Sequence, residues 1–260
     1  IGGYNLTGQH EAVCVLDSGV DYTHPALGGC TSDSFLSGNC RKVIAGYDYG
    51  ESDADPFPSG SDGSRDHGTH VAGIVASEDA TYKGVAPNAS IIAMRIFNDA
   101  GAGNTLWAIS AIDWCVSNST KFNISVITMS IAITSGGSEV IYSSSCDASD
   151  GSGLAAAASA ATVSGLFVDA SAGNAGNSTG ITSPACGENV TSVGRTDDDD
   201  SVNSGSNSGS ILDLFAPGSS VFSTSLSSSF VSKGGTSMSA PHVAGAAALL
   251  SQYWRLAYNK

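Results

Sequence analysis

A mostly parallel β-sheet with helices on both faces is the architecture this sequence predicts. Three observations carry the prediction. Apolar runs of strand length recur from end to end of the 260 residues. Longer amphipathic or small-residue stretches alternate with them, and strand–helix alternation is the pattern of a parallel α/β sheet. The composition, 41% hydrophobic and 13% charged with 32 glycines, suits one large core joined by tight turns, so residues 1–260 are expected to form a single domain.

Taken in order, the expected strands are AVCVLDSG from Ala12, KVIAGYDY from Lys42, ASIIAMRIF from Ala89, ISVITMSIAI from Ile124, GLFVDASAG from Gly165 and NVTSVGR from Asn189. Their apolar residues run on rather than alternate, as they do in strands buried on both faces. The expected helices are HGTHVAGIVASE from His67, NTLWAISAIDWCVSNS from Asn104, GSGLAAAASAATVSG from Gly151 and SAPHVAGAAALLSQYW from Ser239. The stretches SDADPFPSGSDGS and DDDDSVNSGSNSGS read as surface loops.

Ten basic against 24 acidic residues give a net charge of −14, which repels phosphate backbones and argues against nucleic acid as a partner. No apolar run reaches the roughly 18 residues that span a bilayer, so no membrane partner is expected. The start at Ile1-Gly-Gly reads as a processed end, with a signal peptide and pro-segment removed from a secreted protein. Six cysteines without a CxxC pair suit disulfides in such a protein. Cys30 and Cys40 flank a loop and suit a local bridge; Cys146 and Cys186 form a second candidate pair. Cys14 and Cys115 remain, and either a bridge or two buried thiols fits their apolar surroundings. Six N-x-[ST] sequons begin at Asn5, Asn88, Asn118, Asn123, Asn177 and Asn189; a Ser/Thr-rich chain supplies about half or more of them by chance, and they become glycans only in a host with the machinery.

Three segments carry chemistry. VLDSGVD delivers Asp17 at the carboxyl end of a strand, RDHGTHVAG sets His67 at a helix start, and GGTSMSAPHVAG sets Ser237 at another. Strand ends and helix starts cluster at one edge of a parallel α/β sheet, where ligands bind. Aspartate, histidine and serine together are what nucleophilic acyl transfer needs: an imidazole takes the hydroxyl proton, and a carboxylate orients it. The chain order Asp…His…Ser, and Gly-x-Ser-x-Ser in place of Gly-x-Ser-x-Gly, separate the sequence from α/β-hydrolases. His70, three residues after His67, has no evident third ligand for a metal, and with His242 it reads as a core histidine. Pro241 reads as a first-turn proline of the last helix.

With these three motifs in this order, the chain resembles the subtilase family, the subtilisin and proteinase K class of secreted serine endopeptidases. The resemblance covers essentially all 260 residues and implies a three-layer subtilisin-like fold. It implies Asp17, His67 and Ser237 as the triad, and the Asn174 amide and Ser237 N–H as oxyanion donors. It implies that Gly101, Ala102 and Gly103 form one substrate-pairing strand. Ser130, Ile131 and Ala132 would form the other, together with one wall of the primary pocket, and Ala172 and Gly173 the opposite wall. Polypeptide substrates follow, with a pro-segment as folding aid and inhibitor, a monomer, and no cofactor for catalysis. A non-enzymatic binding protein would need a broken triad, and an esterase would turn over esters rather than peptides.

The departures from the family pattern concern specificity and cations. Ser130-Ile131-Ala132 stands where the family usually has Ser-Leu-Gly, and the added methyl is expected to narrow the pocket or to shift the bound peptide. Asp17-Ser18-Gly19 differs from the Asp-Asp-Gly of the kexin-like branch, which favours a broad-specificity digestive enzyme. Ala26 replaces an aspartate, and VASEDATYKGVAP is short, so the family's tightest calcium site is expected to be missing. The resemblance leaves one Ca²⁺ or Na⁺ site, at Asp213 with the Glu188 and Val190 carbonyls. The acidic loop Asp53–Asp66 reads as a solvated loop or a further cation site.

Overall fold

The computed structural model describes residues 3–258; Ile1 and Gly2, on which the processed-end expectation rests, lie outside them. Seven parallel strands form the central sheet: β1 Ala12–Asp17, β2 Val43–Asp48, β3 Ser90–Arg95, β4 Ile124–Met129, β5 Phe167–Ser171, β6 Thr191–Thr196 and β7 Leu214–Pro217. Their spatial order is β7-β6-β5-β4-β1-β3-β2: β2 forms one edge, β3 fills the place between it and β1, and the chain then crosses to the other side of β1 and builds outward from β4 to β7. The first six strands are those the apolar runs predict. The seventh was not predicted, for a physical reason: as an edge strand it leaves Leu214 and Phe215 partly exposed and carries Pro217, which a central strand could not accommodate.

Residues alternate between the two faces of a strand, and each face carries its own helices. On one face Cys14, Leu16, Ile92, Met94, Ile127 and Met129 pack with helix residues. Those are Ala108, Ala111 and Ile112 of α2 (Thr105–Ser117) and Leu154, Ala155 and Ala158 of α3 (Leu154–Val163). On the other, Val13, Val15, Ile91, Ala93 and Val126 meet α1 (His67–Ala76) through Val71, Ala72 and Val75, and α4 (Thr236–Tyr258) through Met238, Ala244 and Ala248. An antiparallel hairpin, β8 Val221–Thr224 with β9 Phe230–Lys233, lies against α1.

Three disulfides fasten this frame. Cys30–Cys40 and Cys146–Cys186 pair as expected, and Cys14–Cys115 joins β1 to α2 across 101 residues, which removes the buried-thiol alternative. Closing so long a loop restricts the unfolded chain by about 4–5 kcal/mol.

Pro241 is not a first-turn proline. α4 begins at Thr236, so Pro241 is its sixth residue and lies inside the helix. Its missing N–H leaves the Ser237 carbonyl without the usual intrahelical donor. The Ser130 hydroxyl takes that place, donating to the Ser237 carbonyl at 2.8 Å. The proline is tolerated because a neighbouring strand end supplies the lost bond.

Candidate active site

Asp17 closes β1 at the carboxyl edge of the sheet and is almost fully buried. The Nδ1 atom of His67 lies 2.8 and 2.9 Å from its two carboxylate oxygens. Ser18 N–H also donates to Asp17, at 2.7 Å. α1 comes this close because its second residue is Gly68: a Cβ there would stand 2.4 Å from the Gly19 carbonyl and 2.9 Å from the Asp17 Cβ. The Ser18 hydroxyl accepts the Gly68 N–H at 2.9 Å and so caps the helix start. Burial opposes the charged imidazole, but the charge and hydrogen bond of Asp17 outweigh it and hold the His67 pKa above its ordinary value. The His67 ring stays about a quarter exposed, so its free Nε2 edge can meet a substrate.

Ser237 is the second residue of α4. Its hydroxyl donates to the Ser130 carbonyl at 3.4 Å, and among the described residues no hydrogen bond joins it to His67. The amides of the first turn are divided unequally. Thr236 N–H goes to the Asn174 Oδ1 at 2.9 Å and Met238 N–H to the Gly235 carbonyl at 3.0 Å. Ser237 N–H has no partner among the described residues, which leaves one helix N-terminal donor free beside its own hydroxyl.

Asn174 follows β5 and is exposed. It does not have the left-handed backbone of a turn asparagine; Gly173 does, at φ 101°. Its Oδ1 accepts from Thr236, and no hydrogen bond among the described residues uses its Nδ2. Thr236 thus docks the start of α4 onto the end of β5, and its hydroxyl accepts Gly173 N–H at 3.2 Å. Neither Thr236 nor the Ser18 cap stands out in the sequence among so many Ser and Thr residues.

Two cavities, of about 240 and 540 Å³, adjoin this cluster and share Phe97, Gly101, Ile131 and Ala132. The first is also lined by Asp17, His67 and Ser130, and the second by Ala102 and Gly103. Gly101 takes a positive φ of 77°, and Ala102 is already bonded through both backbone groups to Asn98. Gly103 bridges Phe97. Ser130–Ala132 lies across from this segment, and Ala172–Asn174 beyond it. The sheet therefore brings together the triad positions, the two oxyanion candidates and the substrate-facing segments expected from the sequence.

The remaining polar candidates are engaged within the protein. His70 Nε2 donates to the Val221 and Val231 carbonyls, both at 3.1 Å, tying α1 to β8 and β9. Burial pulls its pKa down to about 4, so it is neutral. His242 Nδ1 donates to the Met238 carbonyl at 2.8 Å. In the acidic loop, Asp66 binds Lys233 at 2.9 Å and Ser225 at 2.7 Å, while Asp55 accepts the Tyr22 hydroxyl at 2.7 Å. Asp213 accepts the Ser192 N–H and hydroxyl, both at 2.8 Å, through Oδ2 alone. Among the described residues no group of three or more His, Cys, Asp or Glu side chains could hold a metal.

Known proteins share both sequence and fold with this chain. A sequence model of the subtilase family matches residues 8–257. The chain belongs to the subtilase family of serine endopeptidases. Thermitase of Thermoactinomyces vulgaris is 35% identical over 255 residues, covering 97% of this chain and 78% of its own. Subtilisin E of Bacillus subtilis (strain 168) is 36% identical over 250 residues, and the chain spans 56% of its length. The crystal structure of a cold adapted subtilisin-like serine proteinase superposes with a TM-score of 0.76 at 33% identity, covering 96% of this chain and 78% of that one. Among the described residues no helix is long and apolar enough to cross a membrane. Subtilases need no cofactor for catalysis.

Proposed function

We propose that this subtilase hydrolyses internal peptide bonds through an acyl-enzyme on Ser237. The observation that carries the reading is the His67 imidazole held on both oxygens of Asp17 beside a helix start whose Ser237 N–H is free. In the reaction, Ser237 Oγ adds to the scissile carbonyl carbon while His67 Nε2 takes its proton. Asp17 stabilises the imidazolium that results. The carbonyl oxygen, now an oxyanion, accepts hydrogen bonds from Ser237 N–H and Asn174 Nδ2; donors fixed in advance are strongest where charge develops. His67 then protonates the leaving amine, the C–N bond breaks, and an ester on Ser237 remains. A water deprotonated by His67 hydrolyses that ester and restores the enzyme.

A peptide backbone would pair with Gly101–Gly103 on one side and Ser130–Ala132 on the other, adding itself as a strand between them. Three disulfides favour an oxidising, extracellular setting for the enzyme. One Ca²⁺ or Na⁺ at Asp213, with the Glu188 and Val190 carbonyls, fits the free Oδ1 of that carboxylate and would act on stability alone.

The test is Ser237→Ala. We expect peptide turnover to fall by about 10⁶ in kcat, the loss that follows removal of the triad serine of subtilisin, a relative of this chain. Labelling by a serine-reactive phosphonate should vanish while the melting temperature holds. A variant that keeps more than about a thousandth of wild-type kcat would remove Ser237 from the role.

A further inference from the structure

We propose that Glu139 makes the primary substrate pocket a site for a cationic side chain, so that the enzyme cleaves after lysine or arginine. The proposal rests on the endopeptidase reading above and names the substrate class of that same site.

The pocket follows from the sheet. β4 and β5 are paired as far as Met129 and Ala170, and beyond that pair they continue as Ser130–Ala132 and Ala172–Asn174. The Ser171 hydroxyl donates to the Ile131 carbonyl at 3.1 Å and joins the two walls at their base. Thr182 and Ser183 close the back: Thr182 N–H donates to the Ala172 carbonyl and the Ser183 carbonyl accepts Ile133 N–H, each at 3.1 Å. On the endopeptidase reading, a residue whose carbonyl is held by Ser237 N–H and Asn174 Nδ2 would send its side chain over Gly173, between these walls.

Glu139 comes from the first wall. The chain leaves Ala132, turns through the small pair Thr134–Ser135 with Ser138–Glu139, and returns with Val140 N–H on the Ile133 carbonyl. The carboxylate then reaches the opposite wall. It accepts Asn174 N–H at 2.8 and 3.0 Å and the Asn207 side-chain amide at 2.7 Å. A Cβ on Gly173 would lie 2.2 Å from the Asn207 side-chain nitrogen and 2.4 Å from Glu139 Oε2, so the Asn207 amide and the Glu139 carboxylate together fill the space beside the glycine.

The chemistry of the pocket is therefore acidic. Among the described residues the Glu139 carboxylate has neutral amides as its partners and takes part in no ion pair. Its lone pairs are not exhausted by three hydrogen bonds, since two carboxylate oxygens offer about four acceptor sites. An apolar side chain would bury itself against an unpaired charge. An ammonium or guanidinium would pair with it in a half-buried site, where a charge-assisted bond is stronger than on the surface. The Ala132 methyl narrows the slot, which favours a long, thin side chain over a broad ring.

The experiment compares kcat/KM on peptides that differ only in Arg, Lys, Phe or Leu before the cleaved bond, for wild type and Glu139→Gln. Gln keeps an oxygen for the Asn174 N–H and removes the charge. We expect Arg and Lys to exceed Phe and Leu by about tenfold or more in wild type, and Glu139→Gln to remove that ratio. A ratio that Glu139→Gln leaves unchanged, or a wild-type preference for Phe or Leu with the serine probe still labelling, overturns the proposal and leaves the endopeptidase reading intact. Absence of both labelling and turnover is the failure of that reading instead. Benzamidine binding, which needs no turnover, then decides the pocket: tenfold weaker binding in Glu139→Gln supports the acidic site, and equal binding overturns it. Should Glu139→Gln not fold, wild-type peptides with arginine or its neutral isostere citrulline read the same charge from the substrate side.

Discussion

Two aspartates lie buried on strands separated by β4, and their surroundings differ sharply. Asp17 ends β1, where α1 begins, and finds the Ser18 amide and the His67 ring within hydrogen-bond reach of its oxygens. Asp169 lies in the middle of β5 and receives only the Thr128 hydroxyl, at 2.7 Å, while its Oδ2 has no partner. Burial pushes the Asp169 carboxyl well above the usual range, with the Thr128 bond opposing it only in part, so it holds its proton. The carboxyl edge of a parallel sheet supplies polar partners, because helices start there; its middle supplies none. Function therefore collects at the edge, and the buried middle carries a stability burden.

The largest effect separates the two residues by activity. Asp17→Asn should lower kcat by about 10⁴, the size seen for the triad aspartate of subtilisin, while Asp169→Asn should leave kcat within a few-fold. The pH profile sharpens the point. His67 must be neutral to accept a proton, and Asp17 raises its pKa, so wild-type kcat/KM should rise with pH through a midpoint above about 6.5. In Asp17→Asn that rise should move to lower pH. An unmoved midpoint would show that another group sets it.

Moving along β5 from Asp169 to Asn174 passes from the middle of the sheet to its edge, and the expected loss is next in size. Asn174→Gly should cost about 10²–10³ in kcat with KM nearly unchanged, as for the oxyanion asparagine of subtilisin, because the bond strengthens only in the transition state. Full activity in Asn174→Gly would leave Ser237 N–H as the only donor.

Asp169 itself should register in stability. Its pKa is raised on folding, so its contribution is fully present below the unfolded value near 4 and is lost as pH rises towards the folded value. The limiting slope is about 1.4 kcal/mol per pH unit. Asp169→Asn lacks this titration. Its melting temperature should gain on wild type as pH goes from 4 to 8, and a constant difference across that range would refute a buried neutral acid.

The smallest effect concerns Asp213, a third carboxylate, which immediately precedes β7 and is bonded by Ser192. If a cation sits on its free oxygen, EDTA or calcium should shift the wild-type melting temperature and not that of Asp213→Asn. Equal response in both would assign Asp213 to Ser192 alone.

By itself the sequence determined the sheet, the strand–helix alternation and the three segments that bear Asp17, His67 and Ser237, because unbroken apolar runs and helix-start residues are local signals. Other features were decided only by the tertiary structure. β7 and the hairpin are short and half exposed, so no apolar run announces them. Pro241 looks like a first-turn proline until the Ser130 hydroxyl is seen in place of its missing donor. Glu139 sits in a Ser/Gly-rich stretch with no periodicity, and nothing local places its carboxylate against Asn174, 35 positions away. Hydrogen bonds that join residues distant in sequence depend on which strand ends the sheet brings side by side, and that order is fixed by packing across the whole chain.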